Sequence, residues 1–262
     1  MDVKNLEPAE RDPAKLRRTA YALVAFMIFG GIYMLYSYGN YQENEAKRDG
    51  GRPSYKHQVK NFGFVTDEGK IHEISELQGR VWVAFALTKN AQEESLATIA
   101  AARWLAEQFK EEPEKAPAFL AFVLDVDADE PAELAQALPD FPKNITLWRV
   151  AAGEGKTPVT EFLKNSMRFG EVPRLENGNW EYDSNLMLLD QQAKVRGWPG
   201  PQGAMSFDFE SVAGMEAKYA KAEIEHPGEE LKPLPMTTEK FRNILLQSVR
   251  YLNEHPPENP EK

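Results

Sequence analysis

Apolar residues run unbroken from Val81 to Leu87 and close on Thr88, and a second run, FLAFVLD, spans Phe119 to Asp125. Runs of this length without alternation predict strands buried on both faces. After the first run the chain turns polar, Lys89-Asn90-Ala91-Gln92-Glu93-Glu94-Ser95, and opens a helix from Ala91 to about Glu112. Leu96, Ile99, Ala100, Trp104, Leu105 and Phe109 recur there at three- and four-residue steps, giving one apolar face. Pro113 and Pro117 end it. Upstream, Phe62–Thr66 and Lys70–Ile74 flank Asp67-Glu68-Gly69, which is hairpin-turn chemistry.

Downstream, an acidic first turn with Pro131 predicts a short helix from Asp129 to about Leu138. Ile145–Val150 reads as a strand, and Thr157-Pro158 starts a helix to about Asn165. Leu186–Asp190 and Lys194–Trp198 are strands joined by Gln191-Gln192-Ala193, expected antiparallel. Phe207–Ala222 reads as a helix broken at Gly214. Thr237 or Thr238 caps a last helix to about Asn253, with Phe241, Ile244, Leu245, Val249 and Leu252 on its core face. Strands alternating with helices predict an α/β sandwich with a mixed central sheet.

The N-terminal part follows another pattern. Thr19 to Gly39 is 21 residues without a charge, close to the roughly 20 that cross a bilayer as a helix. Tyr33, Tyr36, Tyr38 and Tyr41 gather at one end, as an interfacial belt would. A secretory signal has a shorter apolar region, about 7–15 residues, although Ser37-Tyr38-Gly39 resembles a weak cleavage site. The expectation is an uncleaved anchor. Lys15, Arg17 and Arg18 precede it and Glu43 and Glu45 follow, which puts the N-terminus in the cytoplasm and the main domain outside. The expected organisation is a cytoplasmic tail (1–18), an anchor (19–39), a linker (40–58) and a main domain (59–200). An insertion or partner-contact segment (201–236) and a terminal helix with its tail (237–262) complete it.

Net charge is −10 over 262 residues. With five basic and four acidic residues in 1–18, the remainder stands at −11. That argues against nucleic acid as a partner. There is no cysteine, which removes disulfides, thiol catalysis and thiolate metal sites.

Four segments, taken in order, resemble the SCO/SenC family of membrane-anchored, thioredoxin-like copper chaperones for cytochrome c oxidase. FGFVTDEGKIHEISELQGRVWVAFALT is similar to the family's opening hairpin and central strand, and Phe85-Ala86-Leu87-Thr88 stands where its aromatic-Gly-x-Thr run precedes the cysteines. LDVDADEPAEL is similar to its Val-Asp-Pro-x-x-Asp-Thr-Pro segment, and Leu188-Leu189-Asp190 through Lys194-Val195-Arg196-Gly197 to its Leu-Ile-Asp hairpin. The resemblance implies a thioredoxin-like sandwich behind one transmembrane helix. It also implies copper held by a Cys-x-x-x-Cys pair and a distant His. Counted from Thr88 and back from Asp190, those positions fall on Asn90, Glu94 and Tyr182. None is a soft copper(I) ligand. Asn90 then reads as a helix cap and Glu94 as a first-turn acid.

Other motifs are weaker. Asp125, Asp127, Asp129 and Glu130 suggest a calcium loop, but its sixth and twelfth positions hold Glu130 and Gln136 instead of Gly and Glu. Gly153-Glu154-Gly155-Lys156-Thr157 would put the first P-loop glycine on Val150. His57, His72, His226 and His255 lack metal spacing and read as lone surface or tail histidines. The serines, Ser54, Ser75, Ser95, Ser166 and Ser184 among them, form no Gly-x-Ser-x-Gly elbow. Met167, Met187, Met205, Met215 and Met236 read as packing.

The expected function is binding without catalysis: no catalytic, cofactor or metal site, a lipid bilayer contacted through 19–39, and a membrane complex as partner. A respiratory oxidase or its assembly factors fits the resemblance. The expected location is a single-pass protein with its main domain in the periplasm, or in the mitochondrial intermembrane space of a eukaryote. The alternative is a metal carrier or enzyme using Glu94, Asp125 and Asp127.

Overall fold

A computed structural model describes residues 13–48, 53–90, 93–152, 158–200, 203–227 and 232–256. The chain forms two compact units, residues 1–50 and 51–262. The first is one helix, α1 (Pro13–Arg48). Within it Arg17–Leu35 is 19 residues of mean hydropathy 1.5, about 28 Å long, close to a bilayer core. Its large side chains are bare, Phe26 at 77% and Met34 at 76% exposure. By length and composition this helix is long and apolar enough to cross a membrane.

The second unit is built on a mixed sheet. Its strands are β1 (Ser54–Gln58), β4 (Trp82–Leu87), β5 (Ala118–Val123), β6 (Leu147–Ala151), β9 (Met187–Leu189) and β10 (Lys194–Gly200). Across the sheet the order is β1-β10-β9-β4-β5-β6, and β11 (Gly203–Met205) pairs with β10. β4, β5 and β6 are parallel, while β9, β10 and β1 are antiparallel to their neighbours. Two hairpins lie off this sheet: β2 (Gly63–Val65) with β3 (Ile71–Glu73), and β7 (Arg174–Glu176) with β8 (Asn179–Glu181).

β4 and β5 are buried at every residue. Alternation along β4 divides the core in two. Val83, Phe85 and Leu87 face α2 (Leu96–Gln108), α5 (Phe209–Glu225) and α6 (Thr238–Glu254). Trp82, Ala84 and Ala86 face the other side, with Phe64, Ile74 and Leu77 around the first hairpin. Phe162, Leu163 and Met167, from α4 (Pro158–Phe162) and the π-helical turn after it, complete that layer. The acidic segment forms only α3 (Pro131–Leu134).

The predicted elements are found where the pattern is strong, and three expectations need correction. Residues 40–58, expected as linker, are helix up to Arg48, and Ser54–Gln58 form an edge strand of the main sheet. Backbone pairing to β10 recruits this polar stretch, which has no apolar pattern to announce it. Residues 201–236, expected as an insertion, contribute Phe207 and Phe209, both fully buried, to the core. Gly214 does not break α5, because one exposed glycine costs a helix only about 1 kcal/mol. The β7–β8 hairpin turns on Asn177 and Gly178, both with positive φ, a strong two-residue turn signal whose flanking strands are mostly polar.

Two details fix the late part of the chain. Asp190 is fully buried between β9 and β10 and accepts the N–H groups of Gln192 (2.9 Å) and Lys194 (3.0 Å) and two from Arg196 (2.8 and 2.6 Å). Gly197 lies so close to β11 that a Cβ there would clash with the Met205 carbonyl oxygen. Phe241 of α6 then gathers Trp198, Phe207 and Phe209, ring centroids 5.7, 5.5 and 4.8 Å away. Phe241→Ala therefore lowers the unfolding free energy of the domain by about 3–5 kcal/mol, measured by denaturant melts. A loss under about 1 kcal/mol would show that this cluster does not hold the terminal helix.

Candidate functional site

In an open sheet with parallel strands, chemistry gathers beyond the strands' C-terminal ends. Here that edge is the end of β4, the turn at Lys89-Asn90, and the start of α2. Thr88 is buried at the strand end, and Ser95 and Thr98 are fully buried at the helix start. Three buried hydroxyl side chains thus lie along this stretch, which has no thiol.

Asn90 is exposed in the turn, and Ser95, not Asn90, is the N-cap of α2. The chain runs through a 3₁₀ turn at Glu93–Ser95 before the helix begins, so the expected cap lies too far upstream. Glu94 sits in that turn; its side chain lies outside the described residues, as do Ala91 and Gln92. Tyr182 precedes β9, and the antiparallel register of β9 on β4 sends it toward the same sheet edge. Its ring is 8% exposed and belongs to the core layer opposite α2, with Met187, Phe162 and Met167. Glycine-rich residues 153–157, considered for phosphate, lie outside the described residues.

The acidic stretch is organised around a lysine. Asp125 Oδ1 accepts the Lys89 backbone N–H at 2.6 Å, and Lys89 Nζ donates to Glu133 Oε2 at 2.5 Å. The Glu133 hydrogen bond holds the Lys89 ammonium above its usual pKa. Asp127, Asp129 and Glu130 are exposed. Among the described residues no three His, Asp or Glu side chains stand together as a metal site would require. Asp125 and Glu133 serve the turn that leaves β4 through Lys89, and Glu130 adds to the charge around its ammonium.

Two histidines expected on the surface are half-buried instead. His72 pairs with Glu76 at 2.9 Å and stacks on Trp148, centroids 4.6 Å apart. His57 lies on β1, and its Nε2 bonds the carbonyls of Ser166 and Met167, each at 3.1 Å, at the end of the π-helical turn. Next to it, Lys56 donates to Ser206 Oγ at 2.8 Å, and burial pushes its ammonium pKa down. These contacts tie β1 to two later segments, and only tertiary folding reveals them.

One functional-edge residue carries no sequence motif: Glu210, in the first turn of α5. Its Oε1 accepts the backbone N–H of Thr98 at 3.0 Å, so a carboxylate from another helix serves the start of α2. Asp208-Phe209-Glu210-Ser211 can be read as a helix start, and Asp208 does cap α5 through Ser211 N–H at 2.8 Å. The contact to α2 could not be read, because it spans 112 positions.

No family model matches the chain, and no curated protein matches it. Its neighbours among solved structures are proteins of the SCO1/SenC family. One is a SCO1/SenC family lipoprotein from Bacillus anthracis str. Ames, 24% identical, TM-score 0.47, covering 64% of this chain and 97% of that one. Another is BsSco, described as a member of the Sco family of cytochrome c oxidase assembly proteins, 18% identical with the same score and coverage. Copper-bound ScoI from Bradyrhizobium japonicum is 12% identical, TM-score 0.44, covering 61% of this chain and 98% of that one.

Burial and the nearby Arg168 push the His57 pKa below its ordinary value. The folded state therefore binds a proton less readily than the unfolded state, whose histidine titrates near 6.5. Stability from this residue is full above about pH 6.5 and is lost as pH falls through the lower folded value. The expected outcome is that the wild type's stability advantage over His57→Gln shrinks between about pH 7.5 and 5 in denaturant melts. A constant difference would contradict it.

Proposed function

We propose that this chain is a membrane-anchored, thioredoxin-like binding protein that assists the assembly of a respiratory oxidase or serves as an accessory subunit of such a membrane complex. One observation carries the reading. The positions that the SCO/SenC resemblance assigns to copper ligands hold Asn90, exposed in a turn, Glu94 in a 3₁₀ turn, and Tyr182, whose ring is packed into the core. A scaffold kept while its soft ligands are replaced has lost transfer of copper(I) by that route and retains its surface. Residues 19–39 anchor it in the bilayer, with the N-terminus cytoplasmic and the main domain periplasmic, or in the intermembrane space of a mitochondrion. The apolar helix over Arg17–Leu35 and the basic cluster Lys15, Arg17 and Arg18, ahead of the uncharged run from Thr19, support that topology.

The packing of Phe207, Phe209 and Val212 changes where the partner contact belongs. Removal of 205–235 would strip the core, so the contact is proposed on the exposed sides of α5, with Met215 on one flank of the helix and Ile224 on the other. Isolation of the full-length protein from native membranes in mild detergent tests the reading. Oxidase subunits or their assembly factors are expected with it, and Met215→Glu with Ile224→Glu lowers their recovery several-fold without changing the melting temperature. Recovery of an unrelated complex would discard the oxidase link. Tight copper(I) binding by the purified protein, measured against a competing chelator, would overturn the binding-only role.

A further inference from the structure

We infer that Glu210 is a built-in occupant of the N-terminus of α2: its carboxylate holds the position an incoming anion or anionic side chain would take, and so closes this edge of the domain. The inference rests on the binding-only role proposed above and deepens it, because it says why this edge is not the binding surface.

α2 is thirteen residues long, and its first amide groups have no partner within the helix. They carry the positive end of the helix dipole and attract negative charge. In a thioredoxin-like layout this end faces the turn after the central strand. Here the Thr98 N–H, in the first turn, donates to Glu210 Oε1 at 3.0 Å. Thr98 is fully buried, so water does not serve that amide in place of the carboxylate. Its hydroxyl is also buried and has no hydrogen-bond partner among the described residues. Loss of the carboxylate would leave two polar groups of one buried residue unserved.

The carboxylate is delivered from a fixed support. It stands between Phe209, fully buried against Phe241, and Val212, 5% exposed in the same layer. α5 begins at an Asp208 cap whose second oxygen also accepts the Ser211 hydroxyl, at 2.6 Å. The charge therefore comes from the segment after β11 and reaches the helix start only when α5 has docked. Two effects follow: the field at the start of α2 is offset internally, and the Thr98 backbone is tied to α5.

The absence of native cysteine makes a single introduced thiol a clean reporter of that field. Ser95→Cys places the thiol at the N-cap of α2, in the full-length protein in detergent micelles. With Glu210 present the thiol titrates at or above its ordinary value of about 8.5, followed by ultraviolet thiolate absorbance. Glu210→Gln keeps an acceptor but removes the charge, and lowers that titration by about one pH unit or more. Equal values in the two proteins overturn the inference. A second measurement needs no thiol: in Glu210→Ala the amide of Thr98 exchanges its hydrogen at least about tenfold faster than in the wild type. An unchanged rate also overturns it. Glu223→Gln, on an exposed turn of the same helix, moves neither readout. Failure here leaves the partner-recovery experiment unaffected, so the two readings fail separately.

Discussion

A strand with no exposed side needs a cover on each face, and β4 imposes that need on the whole domain. Val83, Phe85 and Leu87 require one layer, and Trp82, Ala84 and Ala86 require another. The helical cover, α2, α5 and α6, comes from segments far apart in the chain. The second cover is assembled from the β2–β3 hairpin, α4 and the π-helical turn. The two layers are locked by polar contacts at their rims. Arg149, on β6, bonds Asp67 of the hairpin at 2.8 Å and the Leu138 carbonyl at 3.2 Å. Buried Asp190 fixes the β9–β10 turn from within, through Gln192 and Arg196.

The same demand for covers explains why the functional edge looks as it does. In this chain the start of α2 is a packed position, with Ser95 and Thr98 buried and Glu210 brought over them. Tyr182 is likewise spent on the core below the sheet. In both places the side chains are packed into the fold. Among the described residues, large apolar side chains stay exposed on α5, at Met215 and Ile224, and along α1.

Fold and site differ in how much of each is legible from residues alone. The strands at 82–87 and 118–123, the first hairpin and α6 are readable because burial on one or both faces writes a period into the sequence. β1 and β11 are not, because their stability comes from pairing with β10 and their residues carry no apolar period. At the edge, Asn90, Glu94 and Tyr182 could be found by counting from Thr88 and Asp190. Glu210 could not, since no count connects it to Thr98.

By itself, then, the sequence determined the class of the fold, the apolar N-terminal span and the absence of cysteine, all of which are properties of pattern and composition. Only the tertiary structure decided that residues 207–212 belong to the core, that His57 sits on a strand against Ser166 and Met167, and that Asp125 is bound to the Lys89 amide. It alone brought a carboxylate to the start of α2. The reason is physical. Local periodicity records which faces are buried, but a charged or polar side chain has no period, and its partner is chosen by whatever segment the packing of the apolar faces brings within hydrogen-bond reach.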